Sequence, residues 1–204
     1  MNKKYILLAL IFIFSIAIFS YQIAYARFSS SASNNGNVIS ASSKFPTIII
    51  NEVFPDDGAR NKQWIELYNQ TGSAVNVSGW KIANGNTVPK TDTFLTVSPI
   101  PSGGYAVIVG KDTNVTGIPS SAIIITLDNK EIGDTLDKNG NPIILKNAAD
   151  VVIDKMSYGS DTSVFMITPP PNNDKSLARK PNGTDTDTAG DWFTNSIPTI
   201  GGSN

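Results

Sequence analysis

Few side chains in this sequence could do chemistry, and the most suggestive group is a run of aspartates near the end. Asp185, Asp187 and Asp191 are interspersed with threonines and flanked by Gly183 and Gly190. Ca²⁺ takes six to eight oxygen ligands, which a tight loop of this kind can supply. The spacing departs from the helix-loop-helix calcium motif, because no Glu closes the loop at the twelfth position. The aspartates therefore predict a calcium loop, with a solvated loop that caps its own turns as the alternative.

Two glutamates form a second candidate site. Glu52 and Glu66 lie in early segments that are predicted to be strands and could be neighbours in a sheet. Two carboxyl groups across a short gap can act as general acid and base in hydrolysis. The alternative is a polar face with structural hydrogen bonds. We favour it because no sugar-binding cleft or perturbing partner is visible in the sequence.

The composition excludes several classes of chemistry. The 204 residues contain no Cys and no His, which excludes thiolate catalysis and removes the commonest general base. The formal net charge of −1 is too small to attract nucleic acid. The cluster of Lys175, Arg179 and Lys180 has no interleaved aromatic residues and predicts structural contacts or solvation. We therefore expect neither an enzyme nor a nucleic-acid partner.

The first 26 residues have the features of an export signal. Lys3 and Lys4 precede an apolar run over residues 5–19, and Ala24-Tyr-Ala26 has the small-x-small form of a cleavage site. The alternative is an uncleaved membrane anchor, because residues 5–26 approach the length of about 20 residues that spans a bilayer. Both interpretations place the rest of the chain outside the cytoplasm, either secreted or at the cell surface.

Residues 27–45 are rich in Ser and Asn and poor in large apolar residues, which predicts a linker. Ala26, Phe28, Asn37 and Ala41 resemble the region just past the signal in camelysin-type biofilm-matrix fibre subunits. The mature N-terminal strand of those proteins can pair with a neighbouring subunit. The resemblance therefore implies a donor strand in residues 27–45, with a solvated tail as the alternative.

Residues 46–204 are predicted to form one all-β domain. Runs of β-branched and aromatic residues recur between Gly, Pro, Asn and Asp, and after residue 26 no helical periodicity is sustained. Asn139-Gly140 predicts a two-residue hairpin. Many short strands with turns between them favour a β-sandwich. The predicted strands are residues 47–54, 63–69, 74–83, 93–97, 105–109, 122–127, 141–146, 151–158 and 192–194.

The alternation of side chains predicts which residues enter the core. In residues 63–69, Ile65 and Leu67 share one face and Glu66 lies on the other. In residues 74–83, a bulge at Ser78-Gly79 would bring Trp80 to the same face as the preceding valines. Trp80 is therefore predicted to be a core residue rather than an exposed recognition aromatic.

An ordered series of short motifs resembles the bacterial lamin-tail domain. It runs from residue 48 to residue 204, and residues 161–173 form an inserted loop with a rigid Pro169-Pro-Pro171. The resemblance implies a non-catalytic, immunoglobulin-like β-sandwich of an exported protein. The motifs are Asn51-Glu-Val53, Trp64-Ile-Glu-Leu-Tyr-Asn69, Ser78-Gly-Trp80, Pro101-Ser-Gly-Gly-Tyr105, Asn139-Gly140, Asp154, Tyr158-Gly159, Ser176-Leu177, Arg179-Lys-Pro181, Gly183, Asp191-Trp-Phe193 and Pro198-Thr-Ile-Gly201.

Three hypotheses for function follow. The leading one is an exported interaction module that binds a protein, a cell-envelope polymer or another copy of itself through loops or an edge strand. The second is a structural matrix or fibre subunit that uses residues 27–45 as a donor strand. The third is a hydrolase that uses the glutamates or a calcium ion. Membrane contact is expected only through residues 1–26, if they are not cleaved.

Overall fold

The computed structural model describes residues 47–55, 62–85, 90–133, 135–165, 167 and 174–204. The predicted signal or anchor (1–26), the linker (27–45) with its donor strand, and Pro169-Pro-Pro171 lie outside these residues. Within them, no helix is long and apolar enough to cross a membrane.

The described parts of the chain contain ten short strands, which form two sheets. The large sheet has the order β10-β9-β1-β2-β5-β6, and the small sheet has the order β4-β3-β7-β8. Neighbouring strands are antiparallel except for the parallel pair β5 and β6. The strands are β1 (Ile48–Phe54), β2 (Trp64–Asn69), β3 (Lys81–Asn84), β4 (Lys90–Thr93), β5 (Tyr105–Val109), β6 (Ile123–Thr126), β7 (Pro142–Lys146), β8 (Val152–Ser157), β9 (Ser176–Arg179) and β10 (Trp192–Asn195).

The main core lies between the two sheets, so the fold is a β-sandwich as predicted. Ile50, Ile65 and Leu67 from the large sheet pack with Ile82 and Leu145 from the small sheet. Alternation along each strand places these side chains on one face and leaves polar neighbours such as Glu66 on the other. The predicted inward faces of Ile65 and Leu67 are confirmed.

A second, smaller apolar cluster covers part of the outer face of the large sheet. We call Phe54, Trp64, Val107, Val109 and Ala122 the outer apolar cluster. The rings of Phe54 and Trp64 stack with centroids 5.7 Å apart. This face is therefore not a solvated surface but a second packing layer.

Trp80 is partly buried against the main core, as predicted, but the cause differs from the predicted bulge. Gly79 has φ of 77° and forms a tight turn, in which the Trp80 N–H donates to the Val77 carbonyl at 3.0 Å. The predicted strand over residues 74–83 is consequently limited to β3, with an isolated bridge between Val75 and Ile100.

Three other sequence predictions need correction. The strand predicted over residues 93–97 shares only Thr93 with β4, which ends at that residue. β4 is a polar, largely exposed edge strand, so it has no apolar pattern from which its bounds could be predicted. Asn139-Gly140 forms a turn, closed by the Gly140 N–H on the Asp137 carbonyl at 3.1 Å, but not a hairpin. The strands on either side of it, β6 and β7, belong to different sheets. β9 was not predicted as a strand, and its four residues include an arginine.

Candidate functional site

The two candidate glutamates face each other on the outer side of the large sheet. Glu52 of β1 is the register partner of Glu66 of β2. An irregularity between Ile50 and Glu52 lets Ile50 pack in the main core while Glu52 reaches the opposite face. Both residues have no exposed surface. The sequence was thus right that these strands are neighbours, and we call Glu52 and Glu66 the carboxyl pair.

Glu52 accepts hydrogen bonds from four groups. The Thr199 N–H lies 3.2 Å from both carboxyl oxygens, and the Thr199 hydroxyl donates to Oε2 at 2.9 Å. Asn195 Nδ2 donates to Oε1 at 3.2 Å, and the Ser176 hydroxyl donates to the same oxygen. Three elements that are distant in sequence therefore converge on one buried carboxyl.

Glu66 is bound in a similar way but with a different consequence for its protonation. Asn51 Nδ2 donates to Oε1 at 2.7 Å, and the backbone N–H groups of Gly201 and Gly202 donate to Oε2 at 2.6 and 3.2 Å. The pKa of Glu66 is raised from 4.5 to about 8, mainly because the side chain is buried. The charge of Glu52 also raises this pKa, whereas the hydrogen bonds from Asn51, Gly201 and Gly202 lower it. Glu66 is therefore protonated at neutral pH.

Residues 199–204 cover the carboxyl pair, and we call them the closing strap. Ile200 of the strap packs against the outer apolar cluster. Asn204 Nδ2 donates to the carbonyls of Asn51 and Arg179, both at 3.2 Å. Gly201 has φ of 72°, and a Cβ there would lie 2.6 Å from Pro119. The strap is thus fitted closely to the sheet.

Burial of the carboxyl pair bears directly on the hydrolase hypothesis. A general acid or base must come within hydrogen-bond reach of its substrate. Glu52 and Glu66 are both fully buried, and the closing strap donates to their oxygens. In this conformation the pair forms structural hydrogen bonds, which is the interpretation that the sequence analysis favoured.

A second buried charged group surrounds Arg179 on β9, whose exposed fraction is 1%. Its Nη2 lies 3.1 Å from Asp154 Oδ2, and its Nη1 lies 3.1 Å from Asp185 Oδ1 and 3.4 Å from Asp191 Oδ2. Its guanidinium also lies 4.6 Å from the centroid of the Trp192 ring. We call Arg179 and the three aspartates the arginine cluster.

Backbone groups complete the arginine cluster. Arg179 Nε donates to the Ile50 carbonyl at 2.7 Å, and Asp154 Oδ2 accepts from the Ile50 N–H at 2.8 Å. These contacts link β8 of the small sheet to β1 and β9 of the large sheet. The prediction of structural contacts for Arg179 is confirmed, whereas its central place among three aspartates was not foreseen.

Two of the three predicted calcium ligands, Asp185 and Asp191, meet at Arg179 Nη1, so a positive charge already lies between them. Asp185 and Asp191 face Arg179, and Asp191 also accepts from the Thr186 N–H and hydroxyl, both at 2.7 Å. Asp187 is exposed and has φ of 58°. Among the residues that the structure describes, no group of three or more His, Cys, Asp or Glu side chains could hold a metal ion. The arrangement fits internal capping better than calcium, and the calcium loop stays a prediction.

The remaining exposed features are modest. An open pocket of about 260 Å³ is lined by Lys90, Asn129, Lys130, Glu131 and Gly133. Large exposed apolar side chains lie on loops and edge strands rather than in one patch, and they are Leu95, Ile124, Val151, Val152 and Ile197. Contact with a partner would therefore be made through edges and loops.

Sequence reasoning had one partial signal for the residues that it missed, because Asp154, Arg179 and Gly201 all lie in the lamin-tail-like motifs. No pattern of spacing links these residues, which are far apart in the sequence. The hydrogen-bond donors of the strap are mostly backbone N–H groups, which leave no trace in side-chain identity. Only the fold shows that these segments meet.

Comparison with known proteins agrees with the architecture. The family model described as Lamin Tail Domain matches residues 41–160, which is more than half of the chain. No curated protein matches the chain closely enough to count as a relative. The match ends before β9, although β9 and β10 extend the same large sheet. The resemblance to matrix fibre subunits lies before the described residues and stays a prediction. With an all-β sandwich of two sheets and this match, the chain belongs to the lamin tail domain family.

Proposed function

We propose that this protein is an exported, non-catalytic interaction module that binds a protein, an envelope polymer or a second copy of itself. One observation carries the proposal: the side chains best suited to catalysis are committed to buried structural contacts within a lamin-tail sandwich. Glu52 and Glu66 are covered by the closing strap, and Asp185 and Asp191 contact Arg179. The groups left for function are then exposed loops and edge strands.

Export is supported by the sequence of residues 1–26. The test is the intact mass of the native protein in separated medium, membrane and cytoplasmic fractions. A mature chain that begins at residue 27 in the medium supports secretion, and a chain that retains residues 1–26 in the membrane supports a tethered module. A full-length chain confined to the cytoplasm overturns the proposal of export.

Binding is tested with the purified mature protein and isolated cell envelopes in a co-sedimentation titration. Serine substitutions at Leu95, Ile124, Val152 and Ile197 remove one exposed apolar side chain each. We expect saturable binding that at least one of these substitutions weakens about tenfold, the effect of losing about 1.4 kcal/mol. Thr126→Ala, on the exposed edge of β6, serves as a matched polar control. Binding that none of the variants changes contradicts recognition through these edges and loops.

A structural matrix or fibre subunit is the second candidate function, and β6 favours it. Four strands lie at sheet edges, and β4 and β8 carry charged residues that discourage pairing with other chains. At β10, Lys180 lies 5.2 Å from the Phe193 ring centroid. In contrast, β6 has the sequence Ile-Ile-Ile-Thr, and Ile124 is 51% exposed. Because β6 carries no charged residue, its edge can accept an added strand.

The fibre hypothesis has its own test. Light scattering of the mature protein at rising concentration should show polymers that disappear when residues 27–45 are deleted. Ile124→Lys places a charge on the β6 edge and should also prevent polymers, whereas Val152→Lys on the β8 edge should not. A mature protein that stays monomeric at all concentrations eliminates this function and leaves the interaction module.

A further inference from the structure

We propose that the carboxyl pair is a pH-sensitive latch, in which a proton held by Glu66 keeps the closing strap on the sheet and loss of that proton releases it. The inference concerns the outer face of the large sheet and does not depend on which partner the module binds. It rests on how Glu52, Glu66 and the strap are placed.

The strap is attached mainly through the carboxyl pair. Thr199 donates two hydrogen bonds to Glu52, and the N–H groups of Gly201 and Gly202 donate to Glu66. The remaining polar contacts of the strap go to neutral groups, such as the Asn51 and Arg179 carbonyls and the Asn182 side chain. A change in the charge of the pair therefore acts first on the hydrogen bonds that attach the strap.

Among the residues that the structure describes, no positively charged group donates to the pair. The donors to Glu52 and Glu66 among the described residues are amides, hydroxyls and backbone N–H groups. The titratable groups that face Glu66 are Glu52 from β1 and Tyr105 from β5, and Tyr105 hydrogen-bonds the side chains of Ser203 and Asn182. When Glu66 ionises beside Glu52, two negative charges are buried on register partners. The N–H donors of the strap favour the ionised form of Glu66, but burial disfavours it more, and entry of water relieves that cost.

Displacing the strap is the smallest movement that admits water to the pair. β1 and β2 are inner strands of the large sheet, each paired on both sides, and Ile65 and Leu67 anchor β2 in the main core. The strap lies outside every named strand. Burial raises the pKa of Glu66 to about 8, so the second charge appears just above neutral pH.

Release of the strap would change the surface as well as the charge. Ile200 would leave the outer apolar cluster, in which Phe54 and Trp64 stack. An apolar patch on this face would then be exposed at alkaline pH and covered at acidic pH. The latch thereby couples the protonation of one buried residue to an exposed apolar surface.

Amide hydrogen exchange by NMR at pH 6 and pH 9, corrected for intrinsic rates, tests the latch. We expect the protection of the Gly201 and Gly202 amides to be about tenfold or more lower at pH 9 than at pH 6, because between the ordinary pKa of 4.5 and the raised pKa of about 8 each pH unit favours the open, ionised form about tenfold. The amides of β5 should keep their protection. In E66Q the strap should show equal protection at both pH values, whereas E131Q, a glutamate in the loop after β6, should respond like the wild type.

Three results would overturn the proposal. One is strap protection that is the same at pH 6 and pH 9 in the wild type. Another is a loss that is shared equally by β1, β2 and β5, which means global unfolding. The third is a pH response that persists in E66Q. If E66Q does not fold, Thr199→Val replaces it: this variant removes a strap donor but keeps both carboxyls, so its strap should exchange faster than wild type at pH 6 and still respond to pH.

Discussion

The carboxyl pair and the arginine cluster are two buried charged groups in one sandwich, and the cost of burying their carboxyl groups is offset in different ways. Arg179 supplies an opposite charge to Asp154, Asp185 and Asp191. Glu52 and Glu66 have only neutral donors and depend on a proton held by Glu66. Because the pKa of Glu66 is raised to about 8, the stability contributed by the carboxyl pair depends on pH near neutrality.

The comparison predicts its largest effect at the arginine. Arg179→Met keeps an unbranched side chain but leaves three aspartates without a counter-charge, and breaking a buried ion pair in this way costs about 3–5 kcal/mol. We expect the free energy of unfolding, measured with urea, to fall by that amount. Lys180→Met is the matched control, because Lys180 is exposed and its contact with the Phe193 ring contributes about 0.5–1 kcal/mol. Equal losses in both variants would contradict a central role for Arg179.

The carboxyl pair predicts an effect on stability that depends on pH and has a definite sign. The folded-state pKa of Glu66, about 8, lies above its ordinary value of 4.5, so between these pH values the folded state keeps a proton that the unfolded state has lost. The contribution of Glu66 to stability is therefore complete below pH 4.5, is lost as pH rises to 8, and is constant above it. The slope in this window approaches about 1.4 kcal/mol per pH unit.

Urea unfolding at pH 5, 6, 7, 8 and 9 measures this dependence, with the difference between wild type and E66Q isolating the contribution of Glu66. If the amide of E66Q changes the free energy of unfolding by a constant amount, the dependence of the difference on pH is unaffected. A difference that does not change with pH would mean that Glu66 is ionised in the folded protein, and the contrast with the arginine cluster would then disappear.

How much the sequence could predict differs between these regions. Nine of the ten strands overlap predicted ones, β4 only at Thr93, in runs rich in β-branched and aromatic residues. The inward faces of Ile65 and Leu67 follow from the alternation of side chains along β2. β9 was missed because a four-residue strand that contains an arginine carries no apolar alternation. The burial of Arg179 depends on Asp154 from β8 and on Asp185 and Asp191 from the segment between β9 and β10, which the fold brings to its guanidinium.

The carboxyl pair was partly predictable for a similar reason. Adjacent strands suggested that Glu52 and Glu66 are neighbours, but the register that sets them opposite each other depends on the irregularity after Ile50. The strap could not be predicted from periodicity, because its donors to Glu66 are backbone groups of glycines. Local pattern thus gives strands and faces, while the protonation of a buried group depends on tertiary contacts.

A backbone substitution in the strap sharpens the comparison without touching any charge. Gly201 has φ of 72°, and an added Cβ would lie 2.6 Å from Pro119 and 3.0 Å from Ala122. Gly201→Ala should therefore destabilise the strap by about 1–3 kcal/mol through strain and crowding. Hydrogen exchange of the Gly202 amide should accelerate at all pH values. Gly190→Ala, where the nearest atom would be 3.5 Å away, is the control and should leave strap exchange unchanged.

The smallest expected effect concerns calcium at the aspartate loop. A site with an affinity typical of extracellular modules, near 1 mM, would stabilise the fold by about 1.4 kcal/mol in 10 mM Ca²⁺ and raise Tm by several degrees. We expect the same Tm in Ca²⁺ and Mg²⁺, because Arg179 already provides the positive charge beside Asp185 and Asp191. A rise with Ca²⁺ alone that is lost in Asp187→Asn would restore the calcium loop. It would also mean that the arginine cluster, despite its fixed counter-charge, can accept a second cation.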